Sequence, residues 1–198
     1  MNKEIIFASE NANKIAEMKN ILGNIANFKI VTHKIDIPEY QEDMTKISFL
    51  KAKYAYSVIK KPVFVEDTSL CFSALQGMPG PYIKWFVSGD SKEKLEKLRG
   101  LRKMLIGFDN FQAEAVTVIS YFDSEIMDEP KVFVGKISGT IVEPRGPLTF
   151  DWDCVFQPDI QCQEIPQTYA EMDKEFKNRI SNRFLAGQEL KKFLMENY

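Results

Sequence analysis

The chain has 198 residues, 44% hydrophobic and 27% charged, the balance of an ordinary globular protein long enough to bury a core without staples. Lys plus Arg total 26 against 28 for Asp plus Glu, so no basic field exists to hold nucleic acid or an anionic membrane, although local charge can still bind a small anion. Three scattered cysteines and one histidine argue against a disulfide framework or a Cys/His zinc site, which leaves oxygen donors, and hence Mg2+ or Mn2+, for any metal.

The opening residues, MNKEIIFASE, are too poor in apolar residues for a signal peptide, and no run approaches a membrane span, so a reduced, cytoplasmic protein is expected. Glu4 to Ala8 is predicted as a first strand. SENANK follows, then a helical pattern with Ile15, Met18, Ile21 and Leu22 on one face, closed by Gly23. Phe28 to Val31 reads as a second strand and KIDIPEYQEDM as a polar loop. Thr45 to Ile59 is predicted helical, with Ile47, Leu50, Tyr54, Val58 and Ile59 inward, and Val63 to Val65 as a buried strand that stops at Glu66 and Asp67. GMPGPY reads as a rigid turn, and Asp90 with Glu93 as a capping box for a helix to about Ile106. FQAEAVTVISYF and KVFVGKISGTIV alternate apolar and polar residues and read as an antiparallel hairpin. Thr168 with Glu171 is a second capping pair, and a terminal helix is predicted from Asn178. The expected class is one α/β domain over residues 1–198, with a mixed sheet flanked by helices.

Ligands of open α/β sheets gather beyond the carboxyl ends of parallel strands. SENANK offers Ser9, Asn11 and Lys14 at a helix N-terminus, where free N–H groups and the dipole favour phosphate; taken alone it reads rather as a polar cap with a solvated lysine, since such caps are common and phosphate loops are not. Glu66 and Asp67 suit a divalent cation shared with substrate phosphates, or a water-activating acid, and read equally as a helix cap or an exposed turn. Phe150 and Trp152 beside Asp153 suit a purine by stacking plus a hydrogen bond, or simply fill a core. Lys177, Arg179 and Arg183 form a basic stretch near the end.

Together these residues resemble the inosine triphosphate pyrophosphatases, which remove non-canonical purine nucleotides. SENANK resembles the Thr-x-Asn-x-x-Lys loop, KIDIPEYQ the segment with a metal-binding acid, and VEDTSLCFSALQGMPGPYIKWF the longest family signature. FDWDCVFQPD resembles Phe-Gly-Trp-Asp-Pro-x-Phe, and TYAEMDKEFKNRISNR resembles Thr-Tyr-Ala-Glu-Met followed by Lys-Asn and Ser-His-Arg. The resemblance implies an elongated α/β subunit of two lobes with a central active-site cleft, working as a homodimer. It implies hydrolysis of ITP, dITP and XTP to monophosphate and pyrophosphate with Mg2+, Mn2+ being the alternative, and no nucleic-acid or membrane partner. By motif, Ser9, Asn11, Lys14, Lys51 and Lys84 would hold phosphates; Glu39 and Asp67 would bind metal, with Glu66 nearby; Asp67 would activate water. Asp67, Lys14 and Glu66 form the expected catalytic set, Thr68 adjoins the substrate, Phe150, Trp152 and Asp153 hold base and sugar, and Lys177, Asn182 and Arg183 meet the base edge.

Departures from the pattern are Ser9 for Thr, Glu10 for Gly, Asp151 for Gly, Cys154 for Pro and Asn182 for His. Glu10, Asp151 and Asn182 motivate a second reading, a nucleotide-binding protein with little turnover or altered base selectivity. A third, a pyrophosphatase for modified pyrimidines, is opposed by the purine-type aromatic motif.

Overall fold

The computed structural model describes residues 3–23 and 28–198, the side chains of residues 91 and 92 excepted. Its strands are β1 (Lys3–Ala8), β2 (Phe28–His33), β3 (Val63–Phe72), β4 (Pro79–Gly80), β5 (Gln112–Phe122), β6 (Lys131–Ile141) and β7 (Phe156–Pro158). The helices are α1 (Ala12–Leu22), α2 (Met44–Ile59), α3 (Ile83–Val87), α4 (Ser91–Lys103), α5 (Lys174–Ile180) and α6 (Asn182–Asn197). The sheet runs β2-β1-β3-β5-β6-β7, with β4 on β3. It is mixed, as expected: β1 is parallel to β2 and β3, while β3–β4 and β6–β7 are antiparallel. No described helix is long and apolar enough to cross a membrane.

The chain forms two compact units. The first comprises Met1–Asp67, Thr117–Gly135 and Asn182–Tyr198; the second comprises Thr68–Val116 and Lys136–Ser181. In the first unit, Ile5 and Phe7 of β1 pack with Met18 and Leu22 of α1, Phe64 of β3 and Leu190 of α6. Ala52 and Ala55 of α2 pack with Ile6, Val63 and Val65. The core of the second joins Leu70 and Phe72, Leu98 and Leu101 of α4, and Trp152, Phe156 and Tyr169.

Four expectations are corrected. β3 does not stop at Val65: it runs through both acids to Phe72, because β5 pairs along it and Leu70 and Cys71 also pair with β4. The buried face of α2 is Ile47, Ser48, Ala52 and Ala55, while Val58 is exposed; small side chains seat the helix closely, which pure hydrophobicity does not reveal. β5 lacks the expected alternation and is buried almost throughout, as a central strand between β3 and β6 must be. Thr168 does bond Glu171 but starts no helix; Asp173 caps α5 instead, and the chain breaks at Ser181 before α6.

Candidate active site

Asn11 caps α1: its Oδ1 accepts from the Asn13 and Lys14 amides at 3.0 and 3.2 Å. Ser9 Oγ accepts from the Asn11 amide at 3.3 Å. These bonds use acceptors only, leaving the Ser9 hydroxyl proton and the Asn11 NH2 as donors. Glu10 is exposed and pairs with Lys34 at 3.0 Å, so its charge is offset locally.

One turn into α1, Lys14 reaches β3. Its Nζ lies 3.1 Å from both the backbone oxygen and the carboxylate of Glu66. Glu66 is buried, and Arg183 Nη2 approaches its other oxygen at 3.5 Å. Arg183, itself buried, also pairs with Glu17. Glu66 is therefore a buried carboxylate set between two cations, which orients both.

Successive strand residues face opposite ways, so Asp67 meets different partners. Lys51, from the middle of α2, lies 2.8 Å from Asp67 Oδ1 and 3.3 Å from Glu39. Burial works to lower the Lys51 pKa, but the Asp67 and Glu39 carboxylates outweigh it and hold it above its ordinary value. The ammonium is fixed in its charged form. Asp67 Oδ2 is buried and accepts no hydrogen bond. Ser9, Glu39, Lys51, Glu66 and Asp67 line an open pocket of about 240 Å³. That is small beside the roughly 300–1,000 Å³ of whole-ligand pockets and suits a phosphate chain.

The donor set fits a hard cation. Glu39 and the Asp67 oxygen without a hydrogen bond could supply carboxylates to such an ion. No group of three or more His, Cys, Asp or Glu among the described residues could hold a metal without a substrate.

The second unit carries the aromatic set. Trp152 is buried edge-on to Phe156, with centroids 5.6 Å apart. Lys177 is buried, bonds Asp153 at 2.5 Å and stands 4.7 Å over the Phe150 ring. Asp151 takes positive φ (28°), the backbone that a Gly there would supply. Lys84 is exposed on α3, its Nζ 4.8 Å from the Trp85 ring centroid. Thr68 follows the acids on β3, half-buried.

Asn182, expected at the base edge, is 4% exposed, and its amide donates to Thr117 Oγ1 at 2.8 Å. Glu17, Thr117 and Tyr169 were not anticipated from sequence. Glu17 could have been, since it follows Lys14 by three residues on α1 and shares its face.

A mixed α/β sheet that brings Lys51 and the carboxylates of Glu39, Glu66 and Asp67 to one open pocket, with Lys14 of the first helix bonded to one of them, carries the equipment of a phosphate-handling protein. The chain belongs to the Ham1 family, whose model matches residues 5–193. It is 43% identical, over 96% of its length and 94% of the relative's, to an inosine triphosphate pyrophosphatase of Batrachochytrium dendrobatidis. The Ham1 protein of Staphylococcus aureus superposes with a TM-score of 0.82 at 28% identity, covering 99% of this chain and 100% of that one. A HAM1 protein of Coxiella burnetii gives 0.84 at 27% identity, covering 98% and 99%.

Proposed function

We propose that this chain hydrolyses non-canonical purine nucleoside triphosphates, ITP, dITP and XTP, to the monophosphate and pyrophosphate, cleansing the nucleotide pool. Residues 1–198 act as one catalytic domain, in a cytoplasmic homodimer that uses Mg2+ or Mn2+. Family membership and the named relative support the reaction class. The observation that carries it is the Lys14–Glu66 and Lys51–Asp67–Glu39 cluster around one open pocket.

Ser9, Asn11, Lys14, Lys51 and Lys84 bind and orient the phosphates, and Thr68 adjoins them. Lys51 stays cationic because of its two carboxylates, so it offsets phosphate charge at neutral pH. Glu39 and Asp67 would hold the divalent ion, which when bound neutralises charge on the phosphoryl oxygens. Asp67 takes a proton from a water, whose oxygen bonds the α-phosphorus in line as the bond to the bridging oxygen breaks. Pyrophosphate carries away that oxygen and its electron pair. Glu66 keeps Lys14 aimed at the substrate. Phe150, Trp152 and Asp153 take base and sugar, while Lys177 and Arg183 supply donors for the 6-oxo group that adenine lacks.

Pyrophosphate release from a panel of nucleoside triphosphates with Mg2+ tests this. Steady release from ITP, dITP and XTP over ATP and GTP is expected. Nucleotide binding without release would favour the low-turnover reading, and preference for modified pyrimidines would overturn the assignment.

A further inference from the structure

We propose that Asn182, Thr117 and Gly135 are positioning residues that seat the first turn of α6 and thereby hold Arg183 against Glu66. The proposal rests on the reading above, in which Arg183 belongs to the site. All these residues lie in the first unit.

The chain breaks at Ser181, and α6 begins at Asn182 with Arg183 next. Arg183 is 3% exposed and makes ion pairs with Glu17 and Glu66. A buried guanidinium works only where its backbone is placed closely, since its planar fork has a fixed geometry. Two contacts set that backbone. Gly135 of β6 lies directly under the helix start: a Cβ there would stand 2.1 Å from the Asn182 carbonyl oxygen and 2.6 Å from the Ala186 nitrogen. Both are backbone atoms, so nothing but a shift of the turn could make room. Across from it, the Asn182 amide donates to Thr117 Oγ1 of β5 at 2.8 Å, both residues being buried. Gly135 thus lets the turn approach the sheet, and the Thr117–Asn182 bond pins it there. Asn182 acts through its neighbour and has no need to touch the base.

Thr117 gives the discriminating pair, because it is fully buried. Thr117→Val keeps the shape and deletes the acceptor; Thr117→Ser keeps the acceptor and deletes a methyl. Packing alone makes Ser the worse replacement, whereas positioning makes Val the worse. We expect Thr117→Val to lower kcat/KM for ITP about tenfold and Thr117→Ser less than about twofold, measured well below each variant's Tm. In an Arg183→Lys background, Thr117→Val should cost nothing further. Gly135→Ala should lower kcat/KM by more than Thr117→Val and show the same loss of effect beside Arg183→Lys; should it not fold, the Thr117 pair and its cycle carry the test. Ser equal to or worse than Val, or losses that simply multiply with Arg183→Lys, overturns the proposal. Wild-type turnover in Arg183→Lys would instead remove Arg183 from the site, overturning the reading on which the proposal stands.

Discussion

Asp67 gives one carboxylate oxygen to Lys51 and leaves the other buried without a hydrogen bond. A buried acceptor left unpaired costs about 1–3 kcal/mol, which a fold keeps where a ligand later repays it. Asp67→Asn retains the shape and removes charge and basicity together. Turnover of ITP should fall at least ~100-fold, in the range of a lost general base, with the circular dichroism spectrum unchanged. Near-normal turnover in a folded variant would take Asp67 out of the mechanism. The cysteines make the opposite case, of reactive groups kept idle. Burial pushes the Cys71 and Cys154 thiols up to about 11, leaving almost no thiolate at neutral pH, while Cys162 is exposed. Native protein should therefore label quickly at Cys162 alone with a thiol reagent, the other two following only on unfolding. Rapid native labelling of Cys71 or Cys154, read by peptide mass, would contradict their burial.

Helix α1 is proposed to serve stability and ligand together. Asn11 caps it through Oδ1, which leaves its NH2 as the donor that the proposed function gives to phosphate. Asn11→Asp keeps a cap of equal rank but replaces the donor by a negative charge; Asn11→Ala removes the cap, at about 1 kcal/mol. Asp should leave Tm near wild type and raise KM for ITP well above that of Ala, whereas Ala should lower Tm by a few degrees. Equal KM values in the two variants would make Asn11 a cap alone. This helix was legible from sequence because its apolar residues fall on one face and Gly23, at φ 59°, ends it. The route of β3 was not legible: adjacent acids resemble a strand end, and it is pairing with β5 and, past the turn at Gly77, with β4 that keeps the chain extended. β1 pairs with β3 at Val63 and Phe64, so the acids stand beyond its last partnered residue. The motif residues stood out in the sequence, but their pairings did not. Lys51 and Asp67 are 16 residues apart and Arg183 and Glu66 are 117 apart, and spacing alone does not join them. The Asn182–Thr117 bond was hidden for the same reason, since the two lie 65 residues apart.

The first unit is assembled from three separate stretches of chain, so long-range contacts must secure it, polar ones as well as its apolar core. Lys3 of β1, Tyr121 and Asp123 at the end of β5, and Tyr198 after α6 supply such a contact. Lys3 Nζ lies 2.8 Å from Asp123 Oδ2, and Tyr198 donates to the same oxygen. Because that bond uses the Tyr198 proton, the 2.6 Å contact with Tyr121 has Tyr121 as donor. Burial alone would raise the Asp123 pKa, but Lys3 and Tyr198 together hold it below the usual carboxylate range. Burial and the Asp123 bond push the Tyr198 phenol up to about 12. A carboxylate with a depressed folded pKa stabilises fully above its unfolded value, roughly 3.9, and loses that contribution as pH falls through the folded value. A phenol raised above its unfolded value of about 10 works the other way: stability falls as pH climbs past 10, because the unfolded chain sheds its proton first. The network is thus at full strength between roughly pH 5 and pH 9 and fails on both sides. Asp123→Asn should cost about 2 kcal/mol at pH 7, since Lys3 is partly exposed and charge-bearing hydrogen bonds contribute about 1.5–3 kcal/mol. For a chain of this length that lowers Tm by about 4–8 °C. The deficit relative to wild type should shrink below pH 4, as the unfolded chain takes up the proton that the native carboxylate resists. Thermal melts of both proteins from pH 3 to pH 7 check this, and parallel curves with a constant offset would show that Asp123 contributes packing without its charge.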